Sequence, residues 1–174
     1  MKPEYLIRGL PGHPIHPPLT DATIGAYTAA VVAGFASIIG VAEDGAAHAF
    51  WLALVVGLIF TAPTALTGLI DWLSIPRGSP LWRTATAHMV SMLTATAFFV
   101  IAAIVGHGKY TEAAVSTPAY VLALIGFAAM TVGGWLGGAV VYVHGMRVLN
   151  LVREPAQRAA SPVPKPEKEM AEGS

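Results

Sequence analysis

The chain has 174 residues, 55% of them hydrophobic and 11% charged, with a net charge of zero. Soluble chains carry about 25% charged residues, so much of this surface must face something other than water. A neutral balance also excludes a nucleic-acid partner, which needs a basic face. The absence of Cys removes disulfides, iron–sulfur clusters and c-type haem attachment together, leaving His, Met or carboxylate to hold any metal or haem iron.

Residues 1–21 form a Pro- and His-rich cytoplasmic lead-in. Within it, Gly12-His13-Pro14-Ile15-His16-Pro17-Pro18 favours polyproline II. That conformation sets His13 and His16 on one face about 9 Å apart, too far for one metal ion. The bland reading is a rigid segment capped by Thr20 or Asp21. The functional reading has one histidine lining the mouth of a site and the other facing lipid headgroups.

A bilayer core takes about 20 mostly apolar residues per helix, and four stretches qualify: 22–41, 46–70, 84–106 and 119–146. The first carries no charge and follows a long Pro-rich stretch, so it reads as a retained helix and not a cleaved signal peptide. The second holds His48 and Pro63, the third His88, and the fourth His144. From Arg153 onward Pro, Ala, Ser, Lys and Glu dominate, and residues 149–174 are expected to be disordered. The expected architecture is all-α, an integral membrane four-helix bundle over residues 22–148. No internal repeat is evident.

Nine of the ten basic residues fall on one side of these spans, and only Lys109 falls on the other. The positive-inside rule then puts the N and C termini and the 71–83 loop in the cytoplasm. Trp72 and Trp82 flank the inner interface and Trp51 the outer one, as aromatic belts do.

Ionisable groups inside lipid mark function by default. On this topology Asp71, His88, His144 and the His13/His16 pair all come to the cytoplasmic half of the bundle. Asp71, at a helix C-terminus disfavoured by the macrodipole, either pairs with Arg77 or Arg83 or accepts from a histidine. His144 either snorkels or ligates. His88 is deeper and has no charge beside it. His48 and His107 lie at span ends beside polar loops, where a structural role is expected.

The fourth span contains Gly133-Gly134-Trp135-Leu136-Gly137-Gly138, two overlapping G-x-x-x-G spacings that fit helix packing or a homo-oligomer. Gly133, Gly137 and His144 share one helical face, as do His88, Ser91, Met92 and Ala95. Small residues beside a histidine on each helix suit a haem b wedged between the third and fourth helices. His88 and His144 would be its axial ligands, or with less support Met92. Arg77, Arg83 or Arg147 would meet the propionates, and Asp71 or Ser91 would orient an imidazole.

Taken together, several motifs mark a resemblance. They are Gly12-His13-Pro14-Ile15-His16-Pro17, Gly68-Leu69-Ile70-Asp71-Trp72, Ile75-Pro76-Arg77-Gly78, Arg83…His88, the glycine run 133–138, and Tyr142…His144-Gly145. Over about residues 9–148 the chain resembles the bacterial membrane family called domain of unknown function 2231. The resemblance implies a multi-pass protein of the bacterial cytoplasmic membrane. Relatives that carry a Rieske iron–sulfur domain on the same chain imply redox work, here with a Rieske-type partner on another chain. Three classes of function follow: a b-type haem electron carrier; a metal-binding protein, with His88, His144 and Asp71 as a zinc or copper set, or a proton-coupled transport protein; and a structural membrane partner. No nucleophile–base motif points to a hydrolase.

The orientation has a direct test. A reporter active only in the cytoplasm should give signal after residue 153 or inserted near Ser79, and none near Thr111; signal at Thr111 would overturn the assignment.

Overall fold

The computed structural model describes residues 8–10 and 12–148. The expected disordered tail at 149–174 lies outside them. Four helices follow one another: α1 (His16–Ile38), α2 (Glu43–Leu73), α3 (Pro80–Tyr110) and α4 (Thr117–Tyr142). Before them, β1 (Gly9–Leu10) and β2 (His13–Pro14) pair antiparallel in a two-residue bridge. All four helices are long and apolar enough to cross a membrane. The 31 residues of α2 and of α3 reach about 46 Å at 1.5 Å per residue, more than a hydrocarbon core of about 30 Å.

Helix starts follow local chemistry. Proline suits the first turn because its missing N–H would be unpaired there anyway. Pro80 follows Ser79, whose hydroxyl oxygen accepts the Trp82 N–H at 3.1 Å. Pro118 follows the Ser116 cap in the same way. The first turn of α2 carries Glu43 and Asp44, which match the positive end of the dipole.

Two expected boundaries are corrected. α1 begins at His16, six residues before the expected span, because Pro17 and Pro18 occupy its first turn. The segment therefore turns through the β1–β2 bridge into a helix instead of running on as polyproline II. Thr20 and Asp21 lie inside the helix; the cap is Ile15, with no side-chain bond. At the other end α4 stops at Tyr142, so His144 lies beyond the helix in a turn.

α1 packs along α2 and α3 along α4, giving two helical hairpins. Between hairpins the contact is lighter, and α1 meets α4 less closely than α2 meets α3. Tyr27, Phe50, Leu54 and Phe99 fill the core among small residues such as Ala30, Ala102, Ala119 and Ala123. Large apolar side chains including Ile59, Ile104 and Trp135 point outward, as lipid-facing residues do.

The hairpins repeat one design, which corrects the expectation of no internal repeat. His16, Tyr27, Ala30, Val31 and Gly34 on α1 stand 72 positions before His88, Phe99, Ala102, Ala103 and Gly106 on α3. Trp51, Leu54, Gly57 and Gly68 on α2 stand 69 positions before Tyr120, Ala123, Gly126 and Gly137 on α4. Contacts follow the same correspondence. Trp51 Nε1 donates to the Ala103 carbonyl at 2.8 Å, and Tyr120 Oη donates to the Val31 carbonyl at 3.4 Å. Tyr27 lies on Gly57, as Phe99 lies on Gly126. Tyr27 and Phe99 then stack on each other, with centroids 3.7 Å apart and planes 9° from parallel. Equivalent residues meet face to face only at a two-fold axis, so the hairpins are related by a pseudo-two-fold that runs along the helices.

A Cβ added at Gly57 would stand 2.5 Å from the Tyr27 ring, whereas one at Gly25 would meet nothing within 4 Å. Overpacking of this kind costs about 1–3 kcal/mol. Gly57→Ala should therefore lower thermal stability in detergent clearly, and Gly25→Ala should not. Equal effects would show that the ring-on-glycine seat carries no constraint.

Candidate functional site

The histidines of the two hairpins are held alike. His16, at the start of α1, lies over Gly68 of α2 and donates from Nδ1 to the Thr64 carbonyl at 3.0 Å. His88, on α3, lies over Gly137 of α4 and donates from Nδ1 to the Gly133 carbonyl at 2.7 Å. In each case the acceptor stands four residues before the glycine. A carbonyl oxygen only accepts, so Nδ1 must carry the proton. In the neutral ring Nε2 is then the nitrogen with the lone pair. The Nε2 of His88 makes no hydrogen bond to the described residues, and no half-buried or buried side-chain nitrogen is sealed off without a partner. His16 Nε2 has only a 3.5 Å contact with Thr20 Oγ1, whose proton goes to the His16 carbonyl at 2.9 Å.

Both rings line one cavity of about 630 Å³, to which all four helices contribute. The Tyr27–Phe99 stack bounds it. Asp71 and Arg147 also line it, together with Gly134, Gly137 and Gly138. Asp71 is nearly buried at the end of α2 and forms an ion pair with Arg147. Arg147 reaches it from beyond α4 through a turn with left-handed backbone at Gly145 (φ 67°) and at Arg147 itself (φ 62°). Left-handed backbone costs a non-glycine residue about 1–2 kcal/mol; the ion pair that ties the two hairpin ends together stands against that cost. Arg8 adds a long hydrogen bond, 3.5 Å, to the Ile70 carbonyl at the same end.

The other expected site residues are placed as follows. His144 lies outside the cavity lining, and its Nε2 is 3.0 Å from Thr84 Oγ1. Thr84 stands one turn from His88, about 6 Å along the helix. Gly133 and Gly137 form no open slot. Met92 and His88 fill them, and a Cβ at those glycines would meet Met92 Sδ at 2.5 Å and His88 Cε1 at 3.0 Å. The open glycines are Gly134, where a Cβ would meet nothing within 4 Å, and Gly138, where the Tyr142 ring would be 3.9 Å away. Ser91 donates to the Ala129 carbonyl at 2.8 Å. Asp71 pairs with Arg147, not with Arg77 or Arg83, which are exposed. The acceptor that orients His88 is thus main chain, not Ser91 or Asp71. Of the first two histidines, His16 reaches the cavity; His13 borders a separate shallow groove with Pro17, Pro18 and Phe60. Among the described residues no three His, Asp or Glu side chains stand where they could hold a metal ion together, so the set His88, His144 and Asp71 is not assembled. His48 and His107 stay at the far end, edge-on to Tyr110 and Trp51.

A family model described as predicted membrane protein, DUF2231, matches residues 12–150. The chain belongs to that family. The DUF2231 match takes in His13, His16, Asp71, His88, His144 and Arg147, and so the whole cavity with its ion pair. Searches of curated proteins and of solved structures found no match.

Sequence reasoning singled out His16 and Asp71 but missed Arg147 as the partner of Asp71 and missed the Thr64 and Gly133 carbonyls. Carbonyls carry no residue-type mark. The i, i+4 relation between Thr64 and Gly68, and between Gly133 and Gly137, is the only trace they leave.

Removing one partner of a largely buried ion pair strands the other charge. Arg147 keeps about a third of its side chain exposed, so the coupling is discounted to about 1–2 kcal/mol. Asp71→Ala should therefore destabilise the protein more than Asp71→Ala combined with Arg147→Ala. Strictly additive effects in thermal unfolding would remove the pair as a tie between hairpins.

Proposed function

We propose that this membrane protein binds a b-type haem in the cavity between its hairpins and passes single electrons, with His88 as an iron ligand. The observation that carries the reading is the His88 ring. Its Nδ1 proton is held by the Gly133 carbonyl, which fixes the tautomer whose Nε2 can ligate. The cavity supports the reading in three ways. Its volume, about 630 Å³, falls in the range of about 300–1,000 Å³ usual for cofactor sites. Aromatic and apolar side chains, among them Tyr27, Phe99, Met92 and Met130, wall most of it. The bare backbone at Gly134 and Gly138 leaves room for a flat ring on the α4 side. Arg147 at its edge is a donor for a carboxylate.

A haem held by His88 would supply one-electron chemistry between a donor protein and an acceptor protein. The charge pattern supports a cytoplasmic position for this end of the bundle, and we take the membrane to be a bacterial cytoplasmic one. A Rieske-type protein on another chain is a suitable one-electron partner.

The repeat sustains a second reading. Parallel repeats about an axis along the membrane normal also build transporters, and a cavity with Asp71 and two histidines offers proton-accepting groups. Against it, Asp71 is taken up by Arg147, and the ionisable residues gather at one end and not at the midplane where transporter sites lie.

The visible spectrum decides. Protein made with haem available and purified in detergent should carry a haem absorbance that His88→Ala abolishes and His48→Ala or His107→Ala leaves unchanged. Gly134→Leu should shut haem out without disturbing the fold, since its side chain would enter open space. Colourless wild-type protein removes the haem reading and leaves transport as the one to pursue.

A further inference from the structure

We infer that His16 is the second iron ligand, so that each repeat supplies one imidazole and the haem stands between the hairpins, close to the pseudo-two-fold axis. This rests on the haem reading above and replaces His144 as the partner of His88.

Three observations lead here. The first is equivalence. His16 and His88 occupy the same repeat position, and each lies over the equivalent glycine, Gly68 or Gly137. Each donates from Nδ1 to the carbonyl four residues before that glycine. Two groups related by a two-fold axis approach a point on that axis from opposite sides. Both could therefore hold one group placed on that axis. The second is access. Both rings line the one cavity. His144 lines no part of it, and its Nε2 is engaged with Thr84. The third is room. The axis is marked at one level by the Tyr27–Phe99 stack, where the hairpins touch. Toward the histidine end they part. There the small residues Ala85 and Gly134 line the cavity, and α1 and α4 are in light contact.

Packing and the Nδ1 bonds account for only part of what these histidines present. Along α1 and α3 only His16/His88, Ala30/Ala102 and Gly34/Gly106 carry the same residue at equivalent positions. The alanines and the Gly34/Gly106 pair are explained by close approach of neighbouring helices and rings. For the histidines the seat on glycine and the Nδ1 bond are explained in the same way, but Nε2 is not. What two imidazoles add is a pair of lone-pair nitrogens on rings that line one cavity.

The test uses the full-length protein with haem supplied during expression. Wild type should give the spectrum of a six-coordinate, low-spin haem with two imidazole ligands. His16→Gln keeps an N–H for the Thr64 carbonyl and so keeps the helix pairing, but does not ligate. It should lose the low-spin signature completely in favour of a five-coordinate, high-spin haem, and added imidazole should restore it. His144→Ala should leave the low-spin spectrum intact. His16→Met offers an independent reading if the Gln variant proves unstable, because a thioether in place of one imidazole should change the low-spin spectrum to that of a His/Met haem. Haem that stays low-spin in His16→Gln, that keeps the two-imidazole spectrum in His16→Met, or that turns high-spin in His144→Ala, overturns the pairing and leaves the haem reading standing. Wild-type protein that takes up no haem overturns both.

Discussion

The structure depends on rings seated on glycines. At six places a ring of one helix lies where a neighbour's Cβ would be: Tyr27 on Gly57, Phe99 on Gly126, His16 on Gly68, His88 on Gly137, Tyr120 on Gly34 and, more loosely, Trp51 on Gly106. In lipid the hydrophobic effect does not drive helices together. Close packing and hydrogen bonds do. A glycine opposite a ring gives both, because it brings the main chain within reach of the ring's polar atom. Where the ring has no polar atom, as at Phe99, packing alone results. Where it is the imidazole of His16 or His88, the indole of Trp51 or the phenol of Tyr120, the ring N–H or O–H finds a carbonyl nearby; the Tyr27 hydroxyl meets Thr61 Oγ1 instead.

This constraint also explains the polar economy of the interior. Buried Thr23, Thr64 and Thr67 return their hydroxyl protons to carbonyls one turn earlier in their own helices. Among the described residues no buried side-chain nitrogen or oxygen lacks a partner. His16 and His88 fit that rule through Nδ1 and leave Nε2 over. The two Nε2 lone pairs, on rings that line one cavity, remain available to a hydrogen-bond donor or to an electron-pair acceptor.

The spans were legible because a continuous apolar run of about 20 residues has few other uses. Their ends were not. The same prolines that suggest polyproline II also start a helix, and only the β1–β2 bridge ahead of them decides between the two. His144 was expected on the face of Gly133 and Gly137 by helical spacing, which fails once α4 ends at Tyr142. The gathering of His16, Asp71 and His88 at one end was legible from topology, since charge and span order fix which ends meet. The repeat was not legible, because tolerance in lipid is wide. Leu54 and Ala123, or Trp51 and Tyr120, do equivalent work with different side chains. What the two copies share is where a glycine faces a ring, and that relation runs between helices rather than along the sequence.

The departures from symmetry bear on direction. Asp71 has Val140 at its equivalent position, and Arg147 lies past the repeat altogether. The ion pair they form is therefore an addition to the duplicated frame, made at the end of the bundle where the cavity opens. A pair placed there joins the hairpins across the axis just beyond the two imidazoles. It adds charge on one side of the cavity while the Tyr27–Phe99 stack keeps the other side apolar. A cofactor between them would have one edge against arginine and the other against aromatic rings. Two equivalent imidazoles at the centre and one-sided charge at the rim would together give it a single orientation. The duplicated hairpin accounts for the centre, and the unpaired ends of the repeat account for the polarity.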